Sequence, residues 1–216
     1  MHLIKIENPN FIDDSLINII SDYINSNKIA ILPTSTLYGI SCSYNSKKSI
    51  ERVYEIKKRE GSLPFIILIS DISSISELAG ETTEPAKKLI NYYWLGSSLE
   101  SLTLIFKRKK TLKPFVTSGS NNIAIRLDGL ELLRKVIDIS GPIISTSANI
   151  SGNTTPPSVI EDIPDEIRNM VDLIVDYGKK LTGTASTIID VTGDKPVIIR
   201  EGKIKYSDIL KVIKRP

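Results

Sequence analysis

Hydroxyl and amide side chains alternate from Ser145 to Asn149, directly after the apolar run at residues 141–144. A β-branched run that gives way to small polar residues indicates a strand entering a loop, and a helix start there would leave backbone N–H groups unpaired. In an extended conformation Ser145, Ser147 and Asn149 project to one side. The segment predicts a place to hold an anion, although an N-cap followed by a turn uses the same residue types.

A second group of hydroxyl side chains occupies residues 34–36, between Pro33 and Gly39. The continuous apolar stretch before it, residues 29–32, is typical of a strand that is buried on both faces. Hydroxyl groups at such a strand end fit the ligand-binding edge of an α/β sheet. A plain strand-to-helix turn fits this segment equally well.

Cationic residues cluster at the end of a predicted helix, at Lys57, Lys58 and Arg59. Arginine offers a planar fork to phosphate or carboxylate and lysine a mobile point charge, so the cluster is a candidate anion clamp. Pairing of these cations with the C-terminal helix dipole is the alternative. Arg126 ends an apolar strand, where a cation must be exposed or paired, because burying it alone is costly.

The densest basic stretch, residues 107–110 together with Lys113, is interpreted as a solvated loop. An RNA contact is the alternative, but no aromatic residues are interleaved there to stack on bases. Asp172, Asp176 and Asp190 match no cation-binding loop and are assigned to turns and strand edges. The sequence contains neither the GxxxxGK[ST] nor the GxGxxG phosphate-binding motif.

Composition limits the class of protein. The 216 residues, with 41% hydrophobic and 25% charged residues and a net charge of +3, predict one globular domain over residues 1–216. The single cysteine, Cys42, excludes an internal disulfide, and the single histidine, His2, argues against a histidine triad or metal centre. With no signal peptide and no apolar run near about 20 residues, we expect a cytoplasmic protein without membrane contact.

Apolar periodicity predicts the helices and strands that must position these groups. Helices are predicted at residues 13–26, 47–58, 84–94, 130–137, 159–168 and 206–213, with a short helix within 70–80. Strands are predicted at residues 3–6, 29–32, 64–69, 102–106, 122–127, 141–144, 171–175, 188–191 and 197–199.

Five short segments occur in the order found in the YrdC/Sua5 family, which the chain resembles from about residue 15 to residue 205. They are Pro33–Gly39, Lys57-x-Arg59, Ser145–Gly152, Ser186–Asp190 and Arg200-x-Gly202. This family comprises the threonylcarbamoyl-AMP synthases of tRNA modification. The resemblance implies a twisted, open α/β sheet, mixed and mainly parallel, flanked by helices and bearing a positively charged cavity.

The resemblance also implies a reaction. L-threonine, bicarbonate and ATP would give L-threonylcarbamoyladenylate and pyrophosphate, with Mg²⁺ accompanying ATP and no metal site in the protein. The product would pass to downstream threonylcarbamoyl-transferase proteins that modify adenosine 37 of tRNA. By resemblance, the residues that bind threonine are Thr36, Arg126, Ser145 and Ser186, with Arg126 on the carboxylate. Those that bind ATP are Arg59, Ser147, Thr155 and Arg200, and the catalytic set is Lys57, Arg59, Ser147 and Asn149.

The sequence departs from the family pattern at several positions. Ser35 replaces the usual acidic residue between two threonines, and Leu63 and Leu68 stand where polar or basic residues are common. Residues 99–103 replace the usual Pro-Gly-Pro-Leu-Thr. These changes bear on substrate selectivity and activity. The alternative to a synthase is a non-catalytic paralogue that binds double-stranded RNA or nucleotide, with residues 107–113 as phosphate contacts.

Overall fold

The computed structural model describes residues 2–59, 64–96, 101–152 and 155–215. Its α-helices are α1 (Asp14–Asn25), α2 (Lys47–Lys57), α3 (Ile75–Leu78), α4 (Glu84–Leu89), α5 (Glu131–Ser140), α6 (Asp165–Arg168) and α7 (Tyr206–Ile213). Its strands are β1 (His2–Lys5), β2 (Ala30–Pro33), β3 (Tyr38–Ser43), β4 (Ile66–Ile69), β5 (Leu102–Lys107), β6 (Asn122–Leu127), β7 (Ile143–Ser147), β8 (Leu173–Asp176), β9 (Thr187–Asp190) and β10 (Val197–Arg200). None of the helices in these residues has the length and apolar character needed to cross a bilayer.

The described strands form one sheet in the order β1-β8-β2-β3-β7-β4-β6-β5-β9-β10. This confirms the open, mixed sheet flanked by helices. Of the nine neighbouring pairs in the described residues, four are parallel and five antiparallel, so the parallel share is lower than the mainly parallel expectation. The antiparallel pairs are the β2–β3 hairpin, β7 with both of its neighbours, β5 with β6, and β9 with β10.

The structure excludes two helix starts that the sequence left open and corrects one predicted helix. The hydroxyl segment after β2 leads into strand β3, not a helix, and the alternating small residues of β3 hid it from the apolar pattern. No helix starts at the Ser145 segment, because β7 continues to Ser147 and a turn follows. The helix predicted at residues 159–168 is a 3₁₀ turn, Ile160–Asp162, and the four-residue α6, since Pro164 cannot continue a helix.

The two faces of the sheet are covered differently. Alternate strand residues point to opposite faces, so Ile31 packs in one core and Leu32 in the other. The first face is buried under α2, α3, α4 and α7, whose apolar residues share its core. On the second face α1 and α5 supply the apolar cover, and they pack with β1, β8, β2 and the start of β7. The rest of the second face, toward β10, carries the cavity described next.

Candidate functional site

A cavity of about 540 Å³ lies along the second face of the sheet. Nine of the ten predicted site residues line it: Thr36, Lys57, Arg59, Arg126, Ser145, Ser147, Asn149, Ser186 and Arg200. The tenth, Thr155, is exposed and does not line it, although the next residue, Pro156, does. Segments that are far apart in the sequence therefore meet in one hollow.

Strand register explains how these residues meet. Ser145 of β7 lies opposite Ser41 of β3 on one side and Ile66 of β4 on the other. Ile66 lies opposite Ala124 of β6, which in turn lies opposite Ile105 of β5. Because residues opposite each other share a face, this row crosses five strands on the cavity side. Its members are small or aliphatic, so the floor of the cavity is largely apolar.

Gly39 makes room for the Ser145 hydroxyl. A Cβ at residue 39 would clash with Ser145 Oγ on the neighbouring strand. Ser145 Oγ accepts a hydrogen bond of 3.1 Å from Ser41 Oγ, so its own proton remains available to a ligand. Gly39, which follows the hydroxyl segment at residues 34–36, therefore makes room for the hydroxyl group of Ser145.

Lys57 holds the segment after β7. The residue is 3% exposed, and its ammonium group donates to Ser147 O at 2.7 Å, to Asn149 Oδ1 at 3.0 Å and to Asn149 O. Burial, together with the charge of Arg59, lowers the pKa of Lys57 to about 8. Because an ammonium group has three N–H donors, these three acceptors favour its charged form and use all of its donors. Lys57 therefore organises the loop and does not act as a free phosphate clamp.

The side chains of Lys58 and Arg59, at the end of α2, have different surroundings. Arg59 lines the cavity, where its guanidinium group lies 5.2 Å from the centre of the Phe65 ring, and burial lowers its pKa. Lys58 adopts a left-handed backbone conformation at the C-cap and pairs with Glu166 at 2.5 Å, outside the cavity lining. The clamp interpretation therefore applies to Arg59, and Lys58 makes an ion pair elsewhere.

Arg126 is fixed by a carboxylate that sequence reasoning did not identify. Its Nη2 donates to Asp128 Oδ2 at 2.7 Å, and its Nη1 donates to Thr36 Oγ1 at 3.3 Å. Asp128 has no exposed surface and also accepts hydrogen bonds from Ser35. The rule that a buried cation needs an anion, applied to Arg126, could have directed attention to this aspartate.

The hydroxyl segment after β2 is ordered by Thr34. Thr34 Oγ1 donates to Leu37 O at 2.8 Å and accepts from the N–H groups of Thr36 and Leu37, both at 3.1 Å. A hydrogen bond of 2.9 Å also joins the hydroxyl groups of Thr34 and Thr36. The oxygen of Thr36 then accepts from Arg126, so the turn and the cation support each other.

Arg200 and Ser186 form the opposite wall. Arg200 donates from Nε and Nη2 to Ser186 O at 3.1 and 2.9 Å and from Nη2 to Ser186 Oγ at 3.2 Å. Arg126 and Arg200 both line the cavity, and burial together with the charge of Arg126 lowers the pKa of Arg200. Gly202 permits this approach, since a Cβ there would overlap the carbonyl oxygen of Ala185.

The cavity is suited to anions. Among the described residues of its lining, four are cationic, Lys57, Arg59, Arg126 and Arg200, and none is an aspartate or glutamate. The described residues also contain no group of three metal-ligating side chains. The lining itself therefore offers cations, hydroxyl groups and an apolar floor, but no carboxylate for a metal ion.

The positions that depart from the family pattern lie in different surroundings. Leu68 is buried and lines the cavity, where it meets the core under α1 and α5. Ser35 bonds to Asp128, so it contacts the support of Arg126. Leu63, Leu99 and Glu100 lie outside the described residues.

Comparisons with known proteins agree with this fold. The threonylcarbamoyl-AMP synthase of Pyrococcus abyssi is 32% identical over 203 residues, which cover 94% of this chain and 58% of that protein. The synthase of Bacillus subtilis is 35% identical over 189 residues, covering 87% of this chain and 53% of that protein. A crystal structure of P. abyssi Sua5 complexed with L-threonine superposes with a TM-score of 0.90 at 30% identity, over 99% of this chain and 61% of that chain.

These relatives are longer than the chain, which spans a little over half of their length. The family model for Sua5, YciO and YrdC, described as telomere recombination, matches residues 22–202. That range contains all ten predicted site residues and most of the sheet. The chain belongs to the Sua5/YciO/YrdC family.

Proposed function

We propose that this chain catalyses the ATP-dependent formation of L-threonylcarbamoyladenylate and pyrophosphate from L-threonine, bicarbonate and ATP. The observation that carries the proposal is the convergence of nine separately predicted residues on one cationic cavity. A cavity of about 540 Å³ is within the range of small-molecule sites. Two synthases with related sequences, and a related structure that holds L-threonine, support the choice of substrates.

The chemistry requires anions to be held together. In the proposed reaction the amine of threonine bonds to the bicarbonate carbon with loss of water, giving a carbamate. An oxygen of the carbamate then bonds to the α-phosphorus of ATP, and the bond to pyrophosphate breaks. Fixed cations and close approach lower the barrier of such a step without a protein nucleophile.

The proposed roles follow the positions of the cations. Arg126, beside Thr36, would bind the threonine carboxylate, and Ser145 and Ser186 would complete that subsite. Arg59 and Arg200 would bind the phosphates of ATP together with Ser147. Lys57 and Asn149 would act through the loop that they hold. Thr155, which does not line the cavity, would reach ATP only from its rim.

The remaining partners are part of the same proposal. Because the described lining has no carboxylate, Mg²⁺ would arrive with the phosphates of ATP as part of the substrate. The adenylate would be consumed by threonylcarbamoyl-transferase proteins that modify adenosine 37 of tRNA. A cytoplasmic location is consistent with these substrates and stays a prediction.

The test is threonine-dependent release of pyrophosphate in the presence of ATP and bicarbonate. Replacement of Arg59 by Ala should lower the rate by about a hundredfold, because a charge-stabilising donor is lost. Lys58→Ala is the matched control, since the adjacent lysine pairs with Glu166 outside the cavity lining, and it should leave the rate within about twofold. Equal rates for the two variants, or release that does not need threonine, would contradict the proposal.

A second candidate is a non-catalytic protein that binds double-stranded RNA or nucleotide. One observation favours it: Lys107 and Lys110 are exposed at the end of β5, and Lys107 shares the strand face of cavity residue Ile105. However, Arg108 of the same stretch donates to the carbonyl groups of Ser120 and Leu112, so it braces the loop. Steeply salt-dependent RNA binding without turnover, weakened by Lys110→Ala, would support this candidate against the synthase.

A further inference from the structure

Both carboxylate oxygens of Asp128, which pairs with the cavity residue Arg126, accept hydrogen bonds. Its Oδ1 accepts from the backbone N–H groups of Ser35 at 2.9 Å and Leu130 at 3.0 Å. Its Oδ2 accepts from Ser35 Oγ at 3.1 Å and from Arg126 Nη2 at 2.7 Å. The carboxylate has no exposed surface, so these four bonds replace its hydration. It is therefore held by two chain segments and presents one oxygen to Arg126.

Arg126 retains donors that the protein does not use. It is 5% exposed, and its Nε has no hydrogen-bond partner among the described residues. A buried N–H without a partner is costly, so a site that keeps one gains when a ligand supplies the acceptor. The bond to Asp128 and the bond to Thr36 fix the plane of the guanidinium group and leave its remaining N–H groups for that acceptor.

We propose that Asp128 is a positioning residue for the amino-acid substrate, which acts by fixing the guanidinium group of Arg126, with Ser35 as its support. The inference rests on the proposed function, in which Arg126 binds the threonine carboxylate. Ser35 occupies the position that is usually acidic in the family, and its side chain meets Asp128 Oδ2. The carboxylate that holds Arg126 therefore follows β6 directly, and Ser35 donates its hydroxyl group to that carboxylate.

Positioning and simple electrostatics predict opposite results for Asp128→Asn. The variant adds one net positive charge beside an anion-binding cavity, so electrostatics alone would tighten binding of anionic ligands. An amide that keeps its bonds to the Ser35 and Leu130 N–H groups, however, turns its NH₂ toward Arg126 Nη2 and sets donor against donor. If positioning dominates, threonine binding weakens despite the added positive charge.

The experiment compares KM values of the pyrophosphate-releasing reaction. For Asp128→Asn we expect the KM for threonine to rise by at least tenfold and the KM for ATP to change by less than threefold. Asp138→Asn is the charge-matched control, because Asp138 is exposed on α5, away from the cavity lining, and both KM values should stay unchanged. A lower or unchanged KM for threonine in Asp128→Asn would overturn the inference.

A swap variant separates positioning from general damage to the fold. Ser35→Asp combined with Asp128→Ser moves the carboxylate to the facing residue at the same net charge, and it should recover most of the lost threonine affinity. Failure of the swap with an unchanged melting temperature would count against positioning. A crystal structure of Asp128→Asn gives a readout independent of activity: Arg126 Nη1 should leave Thr36 Oγ1, from which it is 3.3 Å in the native protein. If Arg126 does not move in Asp128→Asn, the inference is overturned, whether or not the wild type releases pyrophosphate. A wild type that releases no pyrophosphate would contradict only the proposed function.

Discussion

The two halves of the second sheet face differ in what covers them. Toward β1 the face carries Ala30, Leu32 and Val175, and amphipathic α1 and α5 bury them. Toward β10 the same face carries the apolar residues Ile66, Ala124 and Ile105, which line the cavity together with Arg126. A helix needs a continuous apolar stripe to pack against, and in this half Arg126, Ser145 and Ser186 interrupt the apolar residues. The cavity is thus the part of the sheet that the sequence leaves without a helical cover.

The boundary between the halves passes through single strands. On β7, Ile143 packs under the helices, while Ser145, two residues on and on the same face, lines the cavity. On the antiparallel neighbour β4, Leu68 lies opposite Ile143 and Ile66 lies opposite Ser145. A residue that stabilises the fold and a residue that serves the site therefore lie about 7 Å apart on the same face of one strand.

Truncation at each side of this boundary should give the largest effects. Ile143→Ala removes a fully buried side chain and should lower the free energy of unfolding by about 2–5 kcal/mol in urea titrations. Ser145→Ala loses one hydrogen-bond partner and should cost about 1 kcal/mol or less, but it should lower threonine-dependent pyrophosphate release. Equal stability losses would mean that the two halves are not distinct.

On the cavity half of the sheet face, Gly39 leaves the space that the Ser145 hydroxyl occupies. Gly39→Ala places a methyl group against Ser145 Oγ and should lower the rate of pyrophosphate release by roughly ten- to a hundredfold, because the hydroxyl is displaced. Gly193→Ala is the control, since a Cβ there meets nothing within 4 Å. Steady-state assays of both variants check this, and similar rates would show that the Ser145 hydroxyl has no fixed role.

The smallest expected effect concerns pH. Because burial lowers the pKa of Lys57 to about 8, its third N–H donor and its charge are lost as the pH rises through that value. Affinity for a non-hydrolysable ATP analogue, measured by calorimetry, should therefore be near its maximum at pH 7 and fall as the pH rises through 8. At pH 9 about a tenth of the lysine would remain protonated. A flat affinity from pH 7 to pH 9 would show that Lys57 does not couple to the nucleotide.

Sequence patterns predicted most of the helices that cover the sheet, because apolar periodicity reports burial directly. Helix α7, Tyr206–Ile213, matches its predicted bounds, and α2 ends within one residue of them. Apolar periodicity failed to predict a strand where small residues serve the site. In β3, Gly39 and Ser41 break the apolar pattern because they lie on the cavity side of the sheet. The ordered motifs contain eight of the nine cavity residues, all except Arg126, but Asp128 was missed, since only the fold brings Ser35 to its carboxylate.

The central claim is that the uncovered half of the sheet face holds the amino acid and the nucleotide together. A crystal structure with L-threonine and a non-hydrolysable ATP analogue tests it most directly. The account predicts both ligands in the one cavity, with the threonine carboxylate on Arg126 and the phosphates within reach of Arg59 and Arg200. Either ligand bound on another surface, with the cavity empty, would contradict it.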